Sequence, residues 1–302
     1  MLAFPRVLAA MATPMTPERA VDLDAAQALA AHLVANGSDG VVMAGTTGES
    51  PTLSHTETLM LFRAVVEAVG GQAVVLAGCG KNDTAATVEL VRETCQLGVD
   101  GILSVTGYYN KPNQRGLDTH FRAVAAAATE LPVMLYNIPS RTANEIAPET
   151  LLHLAESVPN IVGVKDAVGD FPKTAWLAAR APEGFGIWSG DDATLLPCLA
   201  VGGAGIVSVA AHLVGGDIAA IVDTFPTDPA QAREIAFRIA PLCAALFAEP
   251  SPAPLKAALE LVGLPGGPVR GPLADATDQT RELVRDALVT AGVSLAETGG
   301  TR

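Results

Sequence analysis

Eight short apolar, β-branched runs recur along this chain, with helical spacing in the intervals between them. They are RVLAAMA (6–12), DGVVMAG (39–45), AVVLAGCG (73–80), GILSVTG (101–107), PVMLYN (132–137), IVGVKDA (161–167), GIWSGDD (186–192) and GIVSVAA (205–211). Runs without polar alternation are the pattern of strands buried on both faces, as in a parallel sheet covered by helices. The intervals, such as LDAAQALAAHLVANG and TAATVELVRETCQLG, place apolar residues at three- and four-residue steps and stop on glycine. Asp22, Thr84 and Asp192 stand where helix N-caps are expected. This alternation predicts an α/β fold, a (β/α)8 TIM barrel occupying residues 1–228 as the catalytic unit. A doubly wound open sheet is the competing architecture. It normally carries a Gly-rich dinucleotide turn after the first strand, and MATPMTPE is not one.

Beyond residue 228 the strand pattern stops. Ile235, Ile239, Leu242 and Leu246 mark one helix face, and PAPLKAALELVGL and TDQTRELVRDALVTAGV read as two further helices. Residues 229–302 are therefore expected to form a C-terminal helical appendix on the barrel, with the final ETGGTR frayed.

A formal net charge of −13 with no basic stripe argues against nucleic acid or an anionic membrane as partner. No apolar run reaches membrane length without Gly, Pro or charge, and the N-terminal MLAFPRVLAAMATPMTPE reads as a first strand rather than a leader. Cys79, Cys95, Cys198 and Cys243 form neither a CxxC nor a zinc-binding spacing, which fits a reduced, cytoplasmic setting.

In a barrel of this kind the chemistry collects at the C-terminal ends of the strands. Read in order, those ends carry Thr13, Thr46-Thr47, Lys81-Asn82, Tyr108-Tyr109, Tyr136-Asn137, Lys165-Asp166, Gly190-Asp191 and Val209. Lys165 follows a run of four apolar or glycine residues. Taken alone it reads as a strand-end lysine that snorkels to solvent or pairs with Asp166. The convergence of hydroxyls and phenols on the same end reverses that preference. Burial disfavours the ammonium and so favours a free amine, the nucleophile that forms a Schiff base with a carbonyl substrate. Tyr136 is placed to shuttle the protons that imine formation needs, although a barrel-filling aromatic would look the same in sequence.

GTTGES (45–50) closes the second strand with hydroxyls and backbone N–H groups that suit a carboxylate, or serves as an ordinary capped turn. GVVMAGTT lacks the lysine of a nucleotide-binding loop, and VGGAG (201–205) precedes the eighth strand, on the stability face. Arg141, on the loop after the fifth strand, offers a planar guanidinium for a second carboxylate, or is simply a solvated arginine. Asp166, Asp191 and Asp192 lack His or Glu partners at metal-binding spacing, so capping or ion pairing is the better reading. The five histidines suggest no metal constellation.

GTTGES, YYNKP (108–112), YNIPSRT (136–142), GVKDA (163–167), SGDD (189–192) and FAEPSPAPLK (247–256) stand in an order that resembles the dihydrodipicolinate synthases, over about residues 4–293. The arginine of YNIPSRT separates these from the similar N-acetylneuraminate lyases and 2-keto-3-deoxy sugar acid aldolases. The resemblance implies condensation of pyruvate with L-aspartate 4-semialdehyde through a covalent imine on Lys165, with no cofactor and no metal. It implies Thr46 and Thr47 at the pyruvate site, Thr47, Tyr136 and Tyr109 as a proton relay, and Arg141 on the semialdehyde carboxylate. It also implies Gly190 and the Val207 backbone as pocket lining. The equivalent of Tyr109 crosses into a partner's site, so a homo-oligomer, usually a tetramer built as a dimer of dimers, is implied. Another pyruvate-dependent aldolase and a non-catalytic barrel scaffold are the alternatives. Gly107 replaces the usual proline before YYN, and Lys-Asp replaces the commoner Lys-Glu. In members inhibited by lysine a glutamate stands at the position of Ala86 and, in some, a histidine at that of Thr58, so feedback by L-lysine is expected to be weak or absent.

Overall fold

The computed structural model describes residues 4–296. Its parallel strands are β1 (Val7–Ala10), β2 (Gly40–Met43), β3 (Val74–Gly78), β4 (Gly101–Val105), β5 (Val133–Asn137), β6 (Ile161–Asp166), β7 (Gly186–Ser189) and β8 (Gly205–Ser208). They pair in sequence order, and β8 returns to β1 to close the barrel. Closure supplies every strand with two hydrogen-bonding neighbours, which is how a parallel sheet buries its backbone on all sides. The strands are shorter than the apolar runs, whose flanking residues enter the turns at either end. Ala12, at the end of the first run, donates its N–H to His212 Nε2 (3.1 Å) instead of to a neighbouring strand.

The helix caps refine the expected pattern. Asp22 caps Leu23–Ala35 by accepting the Ala25 N–H, as the sequence indicates. The cap of Thr84–Thr94 is Asp83, one residue earlier than expected, and it accepts from Ala85 and Ala86. A carboxylate is the stronger acceptor for orphan N–H groups, which leaves the Thr84 hydroxyl to meet His120 Nδ1 at 2.9 Å. Asp192 does not cap the turn that it begins; Asp191 does. Asp192 reaches across to the N–H groups of Val209 and Ala210, each at 3.0 Å, and accepts the Ser208 hydroxyl. The pull of these donors is outweighed by burial, which holds its carboxyl above the ordinary range.

The C-terminal region forms helices Pro229–Ala245, Ala253–Leu261 and Asp278–Thr290, while ETGGTR lies outside the described residues. Ile239, Leu242 and Leu246 of the expected stripe are buried, and Ile235 is half-buried. One hydrophobic cluster runs from Phe4 through the barrel to Ala291 in this region. Fully burying side chains such as Leu242 and Leu288 contributes about 1.5–3 kcal/mol each. A buried ion pair also reaches from the appendix to the barrel: Lys256 Nζ lies 2.6 Å from Glu49 Oε1. Arg270 adds a second tie, pairing with Glu57 at 2.5 Å and donating to the Thr52 carbonyl at 2.9 Å. The Arg270 guanidinium draws the Glu57 carboxyl down to about 2.

His212 is fully buried at the seam between β1 and β8. Its Nε2 accepts the Ala12 N–H, and its Nδ1 faces the Val209 carbonyl at 2.8 Å, so the neutral Nδ1–H tautomer satisfies both contacts. Burial lowers its pKa from 6.5 to about 4. A base depressed on folding leaves the unfolded chain binding more protons, so its stability is full above about pH 6.5 and is lost as pH falls towards 4. The difference corresponds to about 3 kcal/mol. Denaturant unfolding should therefore show stability falling across this window, and His212→Gln should abolish that part of the slope. Asp166 and Asp192, both held above the carboxylate range, titrate with the opposite sign, and His120, also lowered by burial, titrates with the same sign, so the difference between wild type and variant isolates the His212 imidazole. An unchanged slope in the variant would contradict the assignment.

Candidate active site

The register of the barrel brings the two central residues together. Tyr136 on β5 lies directly opposite Lys165 on β6, and Lys165 lies opposite Trp188 on β7. Lys165 Nζ sits 4.4 Å from the centroid of the Tyr136 ring, with the lysine 5% exposed and the tyrosine 4%. Among the described residues, no carboxylate lies within ion-pair distance of Lys165 and no protein group hydrogen-bonds its amine. The comparison with Lys256 is direct. That lysine, 4% exposed, is held by Glu49 and donates to the Pro268 carbonyl at 2.8 Å. Of two equally buried lysines, one is satisfied by the fold and the other is left available.

Pairing of Lys165 with Asp166, the simpler sequence reading, is excluded by strand alternation, which sends neighbours to opposite faces. Asp166 faces outward and accepts from the Thr174 hydroxyl (3.0 Å) and the Val168 N–H (3.2 Å). Gly190, just beyond β7, donates its N–H to the Asp166 carbonyl at 2.7 Å. A Cβ at position 190 would lie 2.7 Å from that of Ala167, so only glycine lets this rim segment close against the end of β6. Val207 is fully buried on β8, opposite Leu8 of β1.

The GTTGES turn leaves Thr46 half-buried and Thr47 only 5% exposed. Thr46, Gly45, Leu103, Val105 and Tyr136 line one small cavity at the barrel mouth; Thr47 does not line it. Lys165 adjoins this cavity through its contact with the Tyr136 ring. Apolar walls interrupted by the Thr46 and Ser50 hydroxyls and the Tyr136 phenol suit a small polar molecule that reacts at a carbonyl.

Arg141 is exposed on the short helix Pro139–Thr142 and makes no ion pair among the described residues. The loop that carries it is firmly held. Asn137, 2% exposed, donates to the Ile146 carbonyl and accepts its N–H, at 3.1 and 3.0 Å. Asn144 ties the same loop to the Pro112 carbonyl at 2.9 Å. Asn137 had no role in the sequence reading, although its polar side chain at the end of an apolar run was a usable signal. Tyr109 is not brought to the Lys165 site of its own chain. It is 91% exposed, and both Tyr109 (φ 72°) and Lys111 (φ 46°) occupy the left-handed region that non-glycine residues rarely adopt. Asn110 fixes this loop by donating to the Asn82 carbonyl at 2.7 Å.

The model of the dihydrodipicolinate synthetase family matches residues 3–291. The chain is 54% identical to a 4-hydroxy-tetrahydrodipicolinate synthase of Symbiobacterium thermophilum, covering 96% of this chain and 99% of the relative. It is 50% identical to one of Moorella thermoacetica, covering 95% and 98%. Among solved structures, it is similar to the DHDPS of Cyanidioschyzon merolae with lysine bound, at TM-score 0.96 and 45% identity, over 97% of this chain and all of that one.

Proposed function

This chain belongs to the dihydrodipicolinate synthetase family, and we propose that it catalyses the 4-hydroxy-tetrahydrodipicolinate synthase reaction, joining pyruvate to L-aspartate 4-semialdehyde in lysine biosynthesis. The observation that carries the mechanism is the buried, unpaired amine of Lys165 against the Tyr136 phenol. In this scheme the amine adds to the pyruvate carbonyl and water leaves, giving an imine. Loss of a methyl proton turns the imine into an enamine, whose carbon attacks the aldehyde and forms the new C–C bond. The amino group of the second substrate then displaces Lys165 from the imine carbon, closing the ring and freeing the lysine. The lysine is itself the covalent catalyst, so the scheme requires no cofactor or metal.

Thr46 and Thr47 are assigned to the pyruvate carboxylate, and Tyr136 and Thr47, with Tyr109 from a second subunit, to proton transfer. The exposed, strained Tyr109 loop supports a residue positioned for a partner rather than for its own barrel. We therefore take the enzyme to be a homo-oligomer, arranged as a dimer of dimers, working in the cytoplasm. Among the described residues no helix is long and apolar enough to cross a membrane. The relatives' names do not favour an aldolase acting on another acceptor. Assays with pyruvate and alternative aldehydes test the reading: turnover should require L-aspartate 4-semialdehyde, and turnover with sugar aldehydes in its place would overturn it.

Arg141→Ala should raise KM for the semialdehyde about ten- to hundredfold, the loss of one charge-assisted contact, and leave KM for pyruvate unchanged. Unchanged use of the semialdehyde would remove Arg141 from the site.

Tyr109→Phe should slow turnover by about 10²–10⁴ without unfolding the barrel. Mixed with Lys165→Ala chains under conditions of subunit exchange, it should regain activity, since some sites then hold both an intact lysine and an intact tyrosine. Absence of rescue after demonstrated exchange would contradict a shared site.

L-Lysine should inhibit weakly. A second cavity, lined by Ser50, Leu53, Thr58, Lys81 and Tyr108 among others, has no carboxylate in its lining to meet an ammonium, and the His55 ring is engaged by Glu93 at 3.1 Å. The missing contact is worth about ten- to hundredfold in affinity. Half-maximal inhibition at sub-millimolar L-lysine would show that another acid compensates for Ala86.

A further inference from the structure

The turn that carries Thr46 and Thr47 is held in an unfavourable backbone shape. Ala44 before it and Glu49 after it both adopt left-handed conformations, with φ of 45° and 56°. Gly48 packs back on the start of the turn, where an added Cβ would stand 2.9 Å from the Ala44 nitrogen. Within the turn the Glu49 N–H donates to the Thr46 carbonyl at 3.1 Å, and the Thr13 hydroxyl donates to the Gly48 carbonyl at 2.7 Å. The first contact is local and the second ties Gly48 to the segment after β1, but neither reaches the Glu49 side chain, and such strain persists only where the surroundings enforce it.

The enforcing contact comes from the C-terminal appendix. The Glu49 side chain, 1% exposed, places Oε1 2.6 Å from Lys256 Nζ and accepts the Arg270 N–H on Oε2 at 2.7 Å. Lys256 is fixed in turn by its bond to the Pro268 carbonyl. Burial lowers the pKa of the Lys256 ammonium, and the charge of Glu49 acts to restore it, so each ion depends on the other in the fold. A buried pair of this kind specifies geometry more than it stabilises, since apolar replacements of both partners often cost little.

We propose that Glu49 and Lys256 are a positioning pair: acting through the backbone of residue 49, the appendix sets the geometry of the Thr46–Thr47 turn for the substrate carboxylate. The proposal rests on the assignment of these threonines to pyruvate made above. The pair touches no substrate, and its effect should fall on the carboxylate-bearing first substrate rather than on the second, which Arg141 serves.

The test uses Lys256→Met, Glu49→Gln and the double variant in the full-length protein. Lys256→Met alone leaves Glu49 buried and unpaired, so it should melt at a lower temperature. The double variant removes both charges and keeps an oxygen for the Arg270 N–H, so it should melt close to wild type. Its KM for pyruvate should nevertheless rise about tenfold or more, because misplacing a binding group by a fraction of an ångström is felt directly in affinity. Its KM for the semialdehyde should not change. A folded double variant with wild-type KM for pyruvate would overturn the proposal. So would a loss in which both KM values rise and kcat falls together in proportion to stability, the signature of a purely structural pair. Wild-type protein that does not react with pyruvate would instead refute the functional reading itself, so the two failures are distinguishable.

Discussion

A lysine only 5% exposed without an opposing charge is an unusual thing for a fold to hold, and the organisation of this barrel follows from it. A lone ammonium in an apolar interior is costly, and relief comes from the tyrosine ring beside it and from the small cavity at the barrel mouth. The β5–β6 register supplies the first of these by setting Tyr136 opposite Lys165. Strand alternation turns the nearest carboxylate, Asp166, towards Thr174 and away from the amine. Had Asp166 faced inward, the lysine would be a satisfied structural cation like Lys256.

The rim around that amine is assembled from contacts between segments far apart in the chain. His212 joins β1 to the turn after β8 through its two ring nitrogens. Asp192, from the end of β7, gathers Ser208 and the two N–H groups that open the following helix. Glu49 reaches the appendix, with its bond to Arg270 spanning 221 positions. Each contact is buried, so it is strong when complete and costly when one partner is lost. The appendix is thus more than a cover for the barrel wall; through Lys256 and Arg270 it grips Glu49 in the turn that carries Thr46 and Thr47.

The barrel was legible in the sequence because its strands are buried on both faces and show as uninterrupted apolar runs. Lys165 and Tyr136 were legible because the polar residue ending such a run must lie at the rim, where their neighbours on adjacent strands also lie. The exchange of Thr84 for Asp83 as a cap was not, since both residue types cap well and one position separates them. Nor was the Glu49–Lys256 pair: nothing local marks either residue as ionic and buried, and their meeting depends on how the appendix wraps the barrel. Tyr109 could be placed at the end of β4 from the sequence, but its 91% exposure and left-handed backbone are properties of the folded loop. The assignments of Thr46, Thr47 and Arg141 came from motif resemblance; in the fold Thr46 lines the cavity, Thr47 is buried in the same turn, and Arg141 is exposed without an ion pair among the described residues.

The central claim is that Lys165, and not another lysine, is the nucleophile. Borohydride reduction in the presence of pyruvate, followed by mass spectrometry of the peptides, tests it most directly. Reduction fixes the imine as a stable secondary amine, so the modified peptide should be the one containing residues 161–170, with the added mass on Lys165. Protein without pyruvate should remain unmodified. An adduct on Lys81, Lys111, Lys173 or Lys256 with Lys165 untouched, or no adduct under conditions that support turnover, would contradict the account.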